Sequence, residues 1–226
     1  LKITGIKSGI EISTAADASA RSGLGGSGAF EVSLLNALHT YKREYVSPLI
    51  LATEACEIEI DRLGHPIGPN DQYIAALGGI SNFEIDKKGT VSVEPLNLSL
   101  HSIAKLESNL LYFRPGIQRD ASSVLADEKK KLNTHSDEMI KALDDIKELG
   151  QQAKTFLLKQ HIDDFGQTFH EHWLIKKRLS DKVSSVQIDT WYDEAMKAGA
   201  LGGKIIGAGG GGWLVFYVPD NKATFR

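Results

Sequence analysis

A glycine-rich loop set between a strand-like run and a helical repeat constrains this chain more than any other feature. Gly9-Ile10-Glu11-Ile12-Ser13-Thr14 alternates apolar and polar side chains, the two-residue period of a half-buried strand. Arg21-Ser22-Gly23-Leu24-Gly25-Gly26-Ser27-Gly28-Ala29-Phe30 follows, and Phe30, Leu34, Leu35 and Leu38 then return on one helical face. A helix opened by glycines leaves its first backbone N–H groups free and aims them, with the positive end of the helix dipole, at one point. That arrangement grips an anion. Ser27 adds a hydroxyl able to reach a phosphate oxygen or its metal ion, so the expected ligand is the phosphate of a nucleotide.

Composition narrows the class. A chain of 226 residues can bury a real core in one large or two small domains. A formal charge of -3 with no basic stripe argues against nucleic acid as the main partner. One cysteine, Cys56, excludes an internal disulfide framework and suits a reducing compartment. No apolar run approaches the roughly 20 residues of a membrane span and no signal peptide opens the chain, so the cytoplasm is expected. Leu1 begins inside an alternating run and Arg226 follows what reads as a helix start, so the chain is expected to be a fragment that lacks the first strands and the last helix and strand.

Taken in order, residues 1–17 read as two short strands, and the loop and its helix run to about His39. Ser47-Pro48 starts a second helix, with Ser at the N-cap and Pro at the first helical position, and Gly64 ends it. An irregular run, residues 65–70, precedes a further helix, Asp71 to Leu77, broken by Gly78-Gly79. Residues 80–85 and 91–96 pair as a hairpin across Asp86-Lys87-Lys88-Gly89. The first domain is expected to span residues 1–100 and the second 101–226. The second opens on a strand at Leu110-Leu111-Tyr112-Phe113. Charged helices follow, with breaks near Gly150 and Asp163, then a helix from Ile188 to Ala198. Lys204-Ile205-Ile206 and Trp213 to Val218 flank the glycines 207–212 as a hairpin.

Two phosphate-loop patterns fit poorly. A Walker A loop needs Gly-Lys-Ser/Thr, but Gly28 runs into Ala29-Phe30 without a lysine. Gly23, Gly25 and Gly28 match the dinucleotide pattern G-x-G-x-x-G. That fold needs a second strand ending in an acid about 20 residues on, where this chain has Thr40-Tyr41-Lys42-Arg43-Glu44. Three stretches in order instead resemble the GHMP small-molecule kinases. Gly23-Leu24-Gly25-Gly26-Ser27-Gly28-Ala29 is similar to that family's phosphate loop. Gly68-Pro69-Asn70-Asp71-Gln72-Tyr73 resembles its middle segment, and Gly202-Gly203-Lys204-Ile205-Ile206-Gly207-Ala208-Gly209-Gly210-Gly211-Gly212 its C-terminal motif. Within the family, residues 55–61, 71–79, 116–123 and 170–177 look most like the kinases of D-glycero-D-manno-heptose 7-phosphate.

The resemblance implies an α+β, two-domain GHMP-kinase fold. Its N-terminal domain would have a left-handed βαβ crossover, its C-terminal domain a ferredoxin-like α/β sandwich, and substrates would lie in the cleft between them. It implies ATP with Mg²⁺ and a small sugar phosphate as acceptor, phosphorylated at the anomeric hydroxyl to a 1,7-bisphosphate. The loop Gly23, Leu24, Gly25, Gly26, Ser27 and Gly28 would hold the phosphates, and Ser27 and Glu59 would hold Mg²⁺, with Glu57 and Asp61 as possible substitutes for Glu59. Asp71 would be the base and touch the acceptor. Lys204 would assist catalysis, and Arg119, Gly209 and Gly210 would contact the substrate. Another sugar kinase of the family, for fucose or galactose, and a non-catalytic nucleotide or sugar sensor remain alternatives, with a dehydrogenase as the outside case.

Plainer roles also fit. Asp71 could cap its helix, Arg119 could be a surface residue, and the glycine hairpin could be structural. His170-Glu171-His172 lacks the i, i+4 spacing of helical metal ligands. Lys129-Lys130-Lys131 reads as a solvated face, and Cys56 as core. Gly26 and Gly28 replace small residues usual in the family's loop and are expected to loosen it. Glu31, a like charge in the first turn of the phosphate-binding helix, is expected to point away from the nucleotide. Arg21 and Arg114-Pro115 are further departures, the latter beside the expected sugar pocket.

Overall fold

The computed structural model describes residues 1, 3–18, 23–116, 121–134, 136–220 and 222–225. They fall into two compact units, Leu1–Leu96 and Asn97–Arg226. Arg21 and Arg119 lie outside the described residues.

The first unit contains α1 (Gly26–Tyr41), α2 (Pro48–Cys56), a π-helical turn (Glu57–Arg62), α3 (Asn70–Leu77), β1 (Ser81–Ile85) and β2 (Val91–Pro95). Helix α2 starts as its sequence requires, with Pro48 at the first position and Ser47 Oγ accepting from the Ile50 amide at 3.4 Å. Strands β1 and β2 form the expected hairpin, Phe83 facing Val93, and Asp86 Oδ1 accepts from the Lys88 and Thr90 amides to close its turn. The buried face of α1 overlaps the one expected and is shifted from it. Leu35 and Leu38 are buried as expected, Gly28, Val32 and His39 are buried beside them, and Phe30 is 48% exposed. The spacing i, i+4, i+7, i+11 is the face that meets α2 and α3, where Leu35 and Val32 join Leu51 and Ala55 in one core.

Residues 3–17 contain turns and bends and no strand. The alternation at 9–14 is real, but its side chains are largely exposed and no neighbouring strand supplies a ladder of hydrogen bonds. The strand pairs of the described residues are all antiparallel, so the left-handed βαβ crossover implied for this domain has no parallel pair to carry it.

The second unit contains α4 (Leu100–Asn109), β3 (Leu110–Phe113), α5 (Ala121–Thr134), α6 (Ser136–Leu158), α7 (Ile162–Leu179), α8 (Val186–Lys197), β4 (Gly202–Ile205), β5 (Leu214–Tyr217) and α9 (Lys222–Phe225). Helix α4 is an addition to the sequence reading, capped by Ser99 Oγ, which accepts from the Ser102 amide at 3.1 Å. Helix α6 runs through Gly150, where a break was expected. A mid-helix glycine costs only about 1 kcal/mol, and packing of Met139 and Ala142 against Leu179 of α7 offsets it. The sheet order is β3-β5-β4, antiparallel throughout, with Lys204 opposite Val215 as the hairpin reading requires. Trp173 of α7, Ile188 and Tyr192 of α8, and Ile205 and Phe216 of the sheet share its core. These contacts fix α7 against β4, and with them the side chains of His172, Lys176 and Lys204.

Candidate active site

The glycine loop expected to hold phosphate and the acids expected to work with it lie together in the first unit. Gly25 is the N-cap of α1 in the left-handed region, φ 69°, with no side-chain cap. The amides of Gly26, Ser27 and Gly28 therefore sit in the first turn, where a helix supplies no acceptor of its own. Ser27 is exposed. Gly28 is the close approach between α1 and α3. A Cβ there would lie 2.8 Å from the Asp71 carbonyl carbon and 2.9 Å from the Gln72 nitrogen. The glycine thus tightens the packing instead of loosening the loop, a correction to the sequence reading with a plain steric cause. It also sets Asp71 against the loop: a Cβ on Gly25 would meet the Asp71 carboxyl carbon at 3.3 Å.

Asp71 lies in the first turn of α3, whose N-cap is Pro69, so it is a first-turn acid and not the cap. Its carboxyl is raised above the usual carboxylate range, first by burial and then by the charge of Glu59. Those two effects outweigh the helix N-terminus, which favours the ionised form.

Glu59 points inward because the π-helical turn widens the end of α2; such turns cluster at functional sites. It is 4% exposed. Gln72 Nε2 donates to its Oε2 at 2.6 Å, and His65 Nδ1 stands 3.5 Å from its Oε1. The alternatives Glu57 and Asp61 are exposed, Glu57 pairing with Arg62 at 2.6 Å. Glu31 faces Glu59. Four residues after Ser27, it shares that residue's side of α1. Burial pushes its carboxyl up to about 7, helped by the charge of Glu59 and a hydrogen bond to it.

The ion implied by the family resemblance can be tested against these atoms. Glu31 Oε2 and Gln72 Oε1 are buried acceptors with no hydrogen-bond partner among the described residues. Two carboxyl groups and a carboxamide oxygen make a local surplus of acceptors, which a hard cation would satisfy. No group of three His, Cys, Asp or Glu side chains among the described residues is set to hold a metal. Magnesium takes one or two protein carboxylates and fills the rest of its shell with waters and phosphate oxygens. Burial, then the charges of Glu31, Glu59 and Asp61, push the Cys56 thiol up to about 11, which disfavours the thiolate.

In the second unit, Lys204 on β4 is half-buried, and burial followed by the charge of Lys176 brings it down to about 8. Gly209 and Gly210 are buried against the chain at Val183, and the Gly210 amide donates to the Val183 carbonyl at 2.6 Å. That amide is thereby committed within the fold. His170 Nδ1 lies 2.7 Å from the Tyr192 hydroxyl and its ring stacks on that tyrosine, while burial, then the charges of Lys204 and Lys176, push the His172 ring down to about 3. The two histidines serve different surroundings. Arg114 and Pro115 line a cavity of about 480 Å³ with Phe113, Trp191, Phe216 and Phe225. Its floor is aromatic, and none of the expected site residues contributes to it.

The sequence reading missed Glu31 and Gln72 as companions of Glu59, and His172 and Lys176 as companions of Lys204. The signal was present in each case as helical spacing: Ser27 to Glu31 and His172 to Lys176 are both i, i+4.

Comparison with known proteins bears on both units. Residues 1–79 match the GHMP kinases N terminal domain and residues 139–224 the GHMP kinases C terminal domain. The chain belongs to the GHMP kinase family. It has the family's two-domain fold of mixed helix and sheet. Among its GHMP relatives is the D-glycero-alpha-D-manno-heptose 7-phosphate kinase of Campylobacter jejuni, 30% identical over 92% of this chain and 61% of that protein. The mevalonate kinase of Methanothermobacter thermautotrophicus is 28% identical over 88% of this chain and 61% of its own. The solved structure of a D-glycero-D-manno-heptose 1-phosphate kinase from Bacteroides thetaiotaomicron superposes with a TM-score of 0.70 at 28% identity, over 92% of this chain and 57% of that one. The chain thus spans about three fifths of the length of these relatives.

Proposed function

We propose that this chain is the greater part of an ATP-dependent sugar kinase that phosphorylates the anomeric hydroxyl of D-glycero-D-manno-heptose 7-phosphate. The observation that carries the reading is the close approach of Asp71 to the loop at Gly25 and Gly28, which sets its carboxyl beside the first turn of α1 and supports it as the base. The amides of residues 23–28 bind the donor's β- and γ-phosphates. Ser27 and Glu59 would hold Mg²⁺, with Gln72 fixing the Glu59 carboxylate. When bound, the ion neutralises charge on the phosphate oxygens.

Asp71 accepts the proton of the acceptor hydroxyl as its oxygen bonds to the γ-phosphorus. The bond from phosphorus to the bridging oxygen breaks, and ADP leaves with that electron pair. The upward shift of Asp71 makes it a better base than an ordinary carboxylate. Lys204 is the candidate catalytic residue of the second unit, a role supported by the family's C-terminal motif around it. The heptose phosphate acceptor is supported by the likeness to heptose kinases, and the single cysteine fits a cytoplasmic setting. Among the described residues no helix is long and apolar enough to cross a membrane.

Coupled ADP release over a panel of sugars and sugar phosphates tests the proposal. Turnover with heptose 7-phosphate is expected. Turnover with galactose or fucose alone would reject the acceptor and leave a different sugar kinase. Asp71→Asn should lower kcat by roughly 10²–10⁴, and an unchanged rate removes Asp71 as base.

A further inference from the structure

No role proposed above uses Glu31, the only acidic residue of α1. It stands four residues after Ser27, one helical turn along the same side. Its carboxyl is within hydrogen-bond reach of Glu59, which enters from the π-helical turn. Gln72 of α3 completes the group, its Nε2 donating to Glu59 Oε2 at 2.6 Å. Glu59 and Gln72 are 4% and 0% exposed. Three elements thus converge on one buried spot, and the close approach at Gly28 ties α1 to α3 there.

The oxygens of this group outnumber its donors. Glu31 Oε2 and Gln72 Oε1 are buried with no hydrogen-bond partner among the described residues. Neither carboxyl pairs with a lysine or arginine among those residues. His65 Nδ1, 3.5 Å from Glu59 Oε1, belongs to a side chain that is 54% exposed. Burying unpaired acceptors and like charges together costs free energy unless a positive group joins them. A residue present for packing alone would be apolar here or would bring a donor. The uncommitted atoms are hard oxygens, the ligand type that holds Mg²⁺, Mn²⁺ or Ca²⁺.

We infer that Glu31 is a second carboxylate ligand of the cation site, beside Glu59, and that this pair, with Gln72 Oε1 and the Ser27 hydroxyl, binds a divalent cation before any nucleotide arrives. The inference rests on the metal role proposed for Glu59, since the family resemblance implies Ser27 and Glu59 alone. One carboxylate and a hydroxyl hold a divalent cation loosely, so the ion then comes with the phosphates of the nucleotide. A second carboxylate tightens the hold, because affinity for such ions rises with ligand charge. Glu31 thereby separates cation binding from nucleotide binding.

Mn²⁺ binding to the full protein chain without nucleotide tests this. The electron paramagnetic resonance signal of free Mn²⁺ falls as the ion binds. Wild type should bind Mn²⁺ with a Kd of about 1 mM or tighter, and Mg²⁺ should compete. Glu31→Gln and Glu59→Gln should each weaken binding by about tenfold or more. Glutamine keeps a hydrogen bond to Glu59, so if Glu31 serves only that bond, Glu31→Gln binds Mn²⁺ as wild type does, and the ligand role is overturned. Equal affinity in Glu31→Gln with loss in Glu59→Gln strikes Glu31 and keeps Glu59 as a ligand. No nucleotide-free binding by wild type at about 1 mM overturns the inference outright.

Thermal unfolding gives a second readout, since a cation that binds the native state raises Tm. The rise with MgCl₂ over NaCl at equal ionic strength should be present in wild type and lost in Glu31→Gln. Equal rises in both overturn the ligand role. Should Glu31→Gln fail to fold, Glu31→Ala carries both comparisons. Neither measurement needs turnover, so a chain that phosphorylates no sugar loses the kinase reading while these two still decide the cation site.

Discussion

At the scale of single residues, two positions carry more than their chemistry suggests. Gly28 is small because α3 passes over it: a Cβ would come within 3 Å of two backbone atoms of Asp71 and Gln72. Gly28→Ala should therefore destabilise the protein by about 1–3 kcal/mol, the usual cost of overpacking. It should also lower kcat, because the atoms it displaces belong to Asp71, the proposed base, and to Gln72, the partner of Glu59. Urea unfolding and steady-state kinetics check the two effects, and a stable, active variant would show that α1 and α3 can separate freely.

Lys204 gives a pH dependence with a definite sign. Its folded-state value of about 8 lies below the ordinary lysine value of 10.5. Between those values the unfolded chain binds more protons than the folded one, so wild-type stability rises with pH there. The penalty is complete below pH 8. Lys204→Met should thus be more stable than wild type at pH 7, with the advantage shrinking from pH 8 to 10.5. A constant difference across that range would mean that the lysine is not desolvated in the native state.

Elements show where local signals suffice. Ser47-Pro48 specifies the start of α2 by itself, and Ser47→Ala should cost about 0.5–1 kcal/mol by loss of the cap, the lower end suiting an exposed 3.4 Å bond. The Asp86 turn and the β4–β5 register were likewise readable, since side chain to backbone bonds and glycine placement act within a few residues. The π-helical turn at Glu57–Arg62 was not readable. An α-helix and a π-helix present the same sequence, and only packing against α3 repays the wider hydrogen bonding that turns Glu59 inward. Residues 9–14 make the opposite case, where a strand pattern found no strand to pair with.

The whole molecule has two units, each with its own buried cluster. All three tryptophans, Trp173, Trp191 and Trp213, belong to the second. Tryptophan emission should consequently report that unit alone. Urea curves from emission and from far-UV circular dichroism should not coincide, since two cores need not unfold in one step. Coincident curves would mean a single cooperative transition.

The sequence by itself determined the family and proposed the loop at residues 23–28 with Ser27, Glu59, Asp71 and Lys204 as its candidate site, because motif order and short-range spacing are properties of the chain. Only the tertiary structure decided which side chains stand beside them. Glu31 turned toward Glu59, Gly28 became a contact with α3, and Lys176 met Lys204 across helix and strand. Each depends on how one element packs against another. Burial and charge at those contacts, not residue type, set the proton affinities of Glu31, Asp71 and Lys204.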